Sequence, residues 1–145
     1  MPTDHHSHME PWGVRAFEND NALDWMWELE DENDTFILSD AFAAVVEMES
    51  DGEVDAQTAE EALAAAEVVA AMLERPLPGL PAEVETYIKK LKRQRPSNDL
   101  VDLALEAVER IAESSELRDR WAATESLEKW LHAVGELQYR LQGRR

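Results

Sequence analysis

Carboxylates carry most of the chemistry open to this chain. Asp20, Asp24 and Glu28 stand four apart, and Glu113, Glu116 and Asp119 three apart, so each set would share one helix face. Bundles that hold two metals, or Mg²⁺ with a nucleotide, project such residues inward from facing helices. Read that way, the chain would be a metal-dependent hydrolase. Read the other way, the same spacings are solvated faces of an acidic protein, with no cofactor. Glu67 is a different case. It lies between Ala66 and Val68 in the least polar stretch of the sequence, where a charge needs partners. Either it accepts hydrogen bonds from backbone N–H groups or Trp indoles of the Trp12-Gly13 loop, or it is a general base set in an apolar site.

Other chemistries find less support. With Gly52 at its turn position, an EF-hand would place Glu47, Glu49 and Asp51 at the first ligand positions. The position requiring a bidentate Glu then falls on Thr58, so a plain helix–turn–helix is expected there. His132 is the one histidine outside the first nine residues, and no Cys, Ser or second His stands at catalytic spacing from it. Gly-rich phosphate loops and nucleophile elbows are absent. The sequence contains no cysteine, hence no disulfide framework, thiolate metal site or Cys nucleophile.

These side chains need a scaffold, and the apolar periodicity is helical throughout. Residues 1–9 have no periodicity and are set aside as a tail or vector-derived remnant, leaving 10–145 as one domain. Asn19 or Asp20 can cap a first helix over about 21–31, with Leu23, Met26 and Trp27 as its apolar stripe. A second helix over about 35–49 carries Phe36, Ile37, Ala41, Ala44, Val45 and Met48 at helical spacing. After a turn at Ser50-Asp51-Gly52-Glu53, Asp55 caps a long Ala-rich helix to about Arg75. Its stripe is Ala59, Ala62, Leu63, Ala66, Val69, Ala70 and Leu73. Pro81 opens a fourth helix to about Arg93, with Val84, Tyr87, Ile88 and Leu91 inward. A fifth follows Pro96-Ser97-Asn98, with Leu100, Leu103, Ala104, Ala107, Val108 and Ile111 as its face. Ser114 or Ser115 caps a last helix, or a broken pair, bearing Trp121, Trp130, Val134, Leu137 and Leu141. The expected architecture is an all-α bundle of about six helices with an N-terminal aromatic loop packed on it.

That loop is the most particular segment. Trp12-Gly13, then Phe17-Glu18-Asn19-Asp20 and Ala22-Leu23-Asp24-Trp25 resemble the opening motif of the bacterial family called domain of unknown function 4259. The Ala-rich stretch 62–71 and Ser115-Glu116-Leu117-Arg118 with Trp121, Trp130 and Leu137…Leu141 are similar to later parts of that family, in the same order. The likeness covers about residues 11–141. Many members carry a second Gly where this chain has Arg15. The resemblance implies a fold unit and no assigned activity. Trp12, Gly13, Phe17, Asn19, Asp20 and Glu67 are read together as a structural lock.

Charge decides what kind of partner is expected. The net charge is −18, outside the ~2–8 in magnitude usual for a small domain. Residues 1–75 hold 20 acidic and two basic side chains, whereas 76–145 hold 12 of each. The first half therefore repels phosphate backbones, and nucleic acid is disfavoured as a ligand. No apolar run reaches the ~18 residues of a membrane span and no signal-peptide core is present, so a cytoplasmic protein is expected. The basic run Lys89-Lys90-Leu91-Lys92-Arg93-Gln94-Arg95 suits a helix C-terminus, and its natural counterpart is the acidic half of this molecule or of a neighbouring copy. Trp25 and Trp27 cannot face one direction on a helix, so one of them is expected outside, as an anchor at an acidic rim. The partner-facing set is Asp20, Asp24, Trp25, Glu28, Asp31 and Asp34. These features point to a non-catalytic interaction module that meets a basic protein through residues 18–61, in the manner of an immunity or inhibitor protein.

Overall fold

Among the described residues, four of the seven α-helices begin where the side chain of the residue before them closes the first turn. The computed structural model describes residues 13–49 and 52–143, so the proposed tail 1–9 lies outside the described residues. In chain order the elements are α1 (Asp20–Trp27), a 3-10 turn (Glu28–Asp31), α2 (Phe36–Val46), α3 (Ala56–Met72), α4 (Ala82–Lys90), α5 (Asn98–Glu113), α6 (Glu116–Ala122) and α7 (Leu127–Gln142). No strand occurs among the described residues.

Of the two candidate caps for α1, Asn19 is the one used: its Oδ1 accepts from the Ala22 N–H at 2.7 Å. Asp20 follows in the first turn, where a carboxylate complements the helix dipole. Asp55 caps α3 by accepting from the Thr58 N–H at 2.7 Å, and Ser97 caps α5 by accepting from Leu100 at 3.1 Å. Ser115, not Ser114, separates α5 from α6. Its hydroxyl donates to the Ile111 carbonyl and accepts from the Arg118 N–H. The final segment is thus a broken pair, α6 and α7. Met48, Glu49 and Gly52 are tied to α5 by Arg110, whose guanidinium donates to their carbonyls. Ser50 and Asp51 of the expected turn lie outside the described residues.

The bundle is organised around α3, which touches every other α-helix. Thirteen of its 17 residues are buried. It has no solvent face in its middle: Ala64, Ala65 and Val68 are as buried as the expected stripe. A helix apolar all round belongs inside, and its alanines let neighbours approach closely. Two shorter helices differ in register from the sequence expectation. On α2 the buried face is Leu38, Phe42 and Val45, while Phe36 is 71% exposed. On α1 it is Ala22, Trp25 and Met26, continued by Leu29 of the 3-10 turn. The first helix also stops short of residue 31. Glu28, Glu30 and Asp31 would crowd like charge at its C-terminus, and tightening to a 3-10 turn delivers Leu29 to the core.

Both α3 and α4 end on non-glycine residues in the left-handed region: Glu74 at φ 66°, and Lys92 and Arg93 at 58° and 52°. The Arg75 N–H returns to the Ala70 carbonyl and that of Arg93 to Ile88. These bonds satisfy the final carbonyls at a conformational cost that glycine would avoid.

Candidate functional site

Two surfaces gather the singled-out residues. The first is the N-terminal loop with the groove beside it. The Glu18 Oε1 accepts from the Arg15 N–H at 3.0 Å, and the Asn19 amide donates to the Ala16 carbonyl at 3.2 Å. A Cβ on residue 13 would meet the Glu18 carboxylate at 2.2 Å, so Gly13 leaves the room in which that carboxylate closes the turn. Phe17 and Asn19 are buried beneath it. Gly13, Phe17 and Asn19 are therefore brought together, while Trp12 lies outside the described residues.

Among the described residues, Glu67 finds its partner on α7. Its two oxygens accept from Arg140 Nη1 at 2.8 Å and Nη2 at 2.9 Å, and Glu67 is only 4% exposed. Arg140 also donates from Nε to Glu136 at 2.7 Å and from Nη1 to the Arg75 carbonyl at 3.1 Å. Burial alone would lower the guanidinium pKa, but the hydrogen bonds it donates to Glu67 and Glu136 outweigh it and hold it above its ordinary value. This geometry commits Glu67 to a bidentate ion pair tying α3 to α7. The pair lines a groove of about 840 Å³ whose walls include Val14, Leu63, Leu77 and Leu137, with Lys129 and His132 also lining it. Periodicity passed over Arg140. Its one signal was an Arg set between Leu137 and Leu141, matching a lone Glu in an apolar helix elsewhere.

The loop stitched by Gly13, Glu18 and Asn19 is also where similarity to known proteins begins. A family model described as Domain of unknown function (DUF4259) matches residues 11–133. The chain belongs to that family. No curated protein and no solved structure matches it. Glu67 lies inside the DUF4259 match and Arg140 beyond it.

The second surface is acidic. Asp20 and Asp24 of α1 line a cleft of about 520 Å³ with Asp55 and Glu116, and Arg120 stands at its side, 3.2 Å from Glu116. Glu116 Oε1 also accepts from the Ala56 N–H at 2.7 Å, closing the start of α3. Glu113 ends α5 while Glu116 and Asp119 belong to α6, so those three do not share a helix face as their spacing suggested. Among the described residues, no group of three His, Cys, Asp or Glu side chains converges to hold a metal ion. Asp24, Glu28, Asp31 and Asp34 are exposed. Trp25 is not a surface anchor: it is 4% exposed, packed in the core, and the outward indole is Trp27 at 52%.

Beside the cleft, Glu60 is buried and its Oε1 accepts from the Asn21 amide at 2.7 Å. Burial pushes its pKa above the ordinary 4.5, against the opposing hydrogen bond from Asn21. The folded state therefore holds this proton more tightly than the unfolded chain, and stability falls as pH rises upward from 4.5. Glu60→Gln keeps an acceptor for Asn21 and removes the buried charge. Its melting temperature at pH 7 is expected to equal or exceed that of the parent, with a smaller loss between pH 4.5 and 7. Thermal unfolding across that range checks it, and a lower melting temperature at pH 7 would contradict the burial argument.

Proposed function

We propose that this chain is a non-catalytic protein–protein interaction module whose acidic face, centred on α1 and residues 28–35, meets a basic protein. The observation that carries this reading is the run of exposed carboxylates Asp24, Glu28, Glu30, Asp31 and Asp34. The Lys90 ammonium reaches this run, but its bonds go to the Leu29 and Glu30 carbonyls at 3.1 and 2.8 Å and not to a carboxylate. Complementary charge of this kind speeds encounter and selects partners. A specific form is an immunity or inhibitor protein that presents carboxylates where a basic nuclease would take phosphates. A cytoplasmic setting goes with it, since a chain without cysteine calls for no oxidising compartment.

The test is capture at low and high salt with cross-linking of bound lysines. A basic protein retained at ~50 mM salt, released at ~500 mM and cross-linked to residues 24–34 is the expected result. Reversing Asp24, Glu28 and Asp31 to Lys should slow association by roughly 10–100-fold. Failure to retain any basic protein under both conditions overturns the reading.

A further inference from the structure

Three large apolar side chains stand exposed among the described residues: Trp27, Phe36 and Tyr139. Two of them, Trp27 and Phe36, flank the same acidic segment, residues 28–35. That segment runs from the 3-10 turn Glu28–Asp31 into four residues outside any helix, and it is held at several points. Leu29 is buried in the core. The Tyr87 hydroxyl donates to the Asp34 carbonyl at 2.5 Å, and Lys90 donates to the carbonyls of Leu29 and Glu30. Asp34 Oδ1 accepts from the Phe36 N–H at 3.1 Å and fixes the start of α2. The two rings are thus presented from a braced backbone, and little ordering entropy remains to be lost when something docks on them.

We infer that Trp27 and Phe36 are the apolar anchors of one docking surface, and that its occupant is a protein segment bearing apolar side chains flanked by Lys or Arg. The inference rests on the reading above that the acidic face meets a basic protein. Nine residues span at most ~30 Å when fully extended, about the width of a standard interface footprint of ~800 Å² per partner. The two rings are therefore close enough along the chain for one footprint to cover both. Interfaces place aromatic anchors within a polar rim, and here the rim is Glu28, Glu30, Asp31 and Asp34. Charge complementarity selects a basic partner, and the two exposed rings require that partner to offer apolar contacts as well. An anionic lipid surface is disfavoured, because the rim carries the same sign of charge.

The probes are an amphipathic 14-residue Leu–Lys helical peptide and an oligolysine of matched charge, titrated against the whole chain at ~150 mM salt. The Leu–Lys peptide is expected to bind about tenfold more tightly than the oligolysine. Trp27→Ala and Phe36→Ala should each weaken the Leu–Lys peptide about tenfold while leaving oligolysine binding and the melting temperature unchanged. Equal affinity for the two probes, or variants that bind the Leu–Lys peptide as the parent does, overturns the anchors and leaves the acidic-face reading standing. Failure of both probes to bind overturns both readings. Dimerisation that Trp27→Ala abolishes, seen by sizing, overturns the assignment of the occupant.

Discussion

Arg140→Met should lower the free energy of unfolding by about 3–5 kcal/mol, because it leaves the Glu67 carboxylate buried without its counter-charge. The guanidinium delivers both of Glu67's hydrogen bonds and one to the Arg75 carbonyl, and a thioether replaces none of them. Glu67→Gln removes the charge but keeps one acceptor, and Arg140 retains Glu136. A smaller loss of about 1–3 kcal/mol is expected for it. Replacing both partners with Met restores electrical balance in the site, and such double replacements are often close to neutral. Urea unfolding of the three variants gives the comparison. A single Arg140→Met cost below ~1 kcal/mol would mean that water reaches the pair and screens it.

Phe42→Ala should cost about 3–5 kcal/mol through lost burial and the cavity it leaves. Phe42 is fully buried, on the helix that packs against both α3 and α5. Phe36 supplies the internal control: the residue type is the same, six positions earlier on the same helix, but it is 71% exposed. Phe36→Ala is expected within ~0.5 kcal/mol of the parent, as for surface positions generally. Since a domain of this size has only ~5–15 kcal/mol in hand, Phe42→Ala should shift the denaturant midpoint visibly with little change of slope. Equal effects at positions 36 and 42 would mean that the register of α2 is wrong.

That register shows what tertiary contact decides. Helix α2 reads Phe-Ile-Leu-Ser-Asp-Ala-Phe-Ala-Ala-Val-Val, so apolar side chains point in nearly every direction and more than one stripe satisfies a 3.6-residue period. Packing against α3 and α5 selects Leu38, Phe42 and Val45 and leaves Phe36 outside. The same ambiguity separates Trp25 from Trp27 on an eight-residue helix. Glu67 is the long-range version of it. An isolated carboxylate in an apolar helix announces that it needs a partner, but the partner lies 73 positions away, and no local pattern spans that distance.

Local physics alone settles the helical class, the cap at Asp55, the inward face of α4 and most of that of α5, and the charge imbalance between the two halves. Each of these depends on residues within one turn of one another, or on composition. The central place of α3, the Glu67–Arg140 pair, the 3-10 ending of α1 and the outward turn of Trp27 and Phe36 depend on which helices meet. A short helix that is apolar on more than one side has several faces of similar burial energy, and only the neighbours it packs against break the tie.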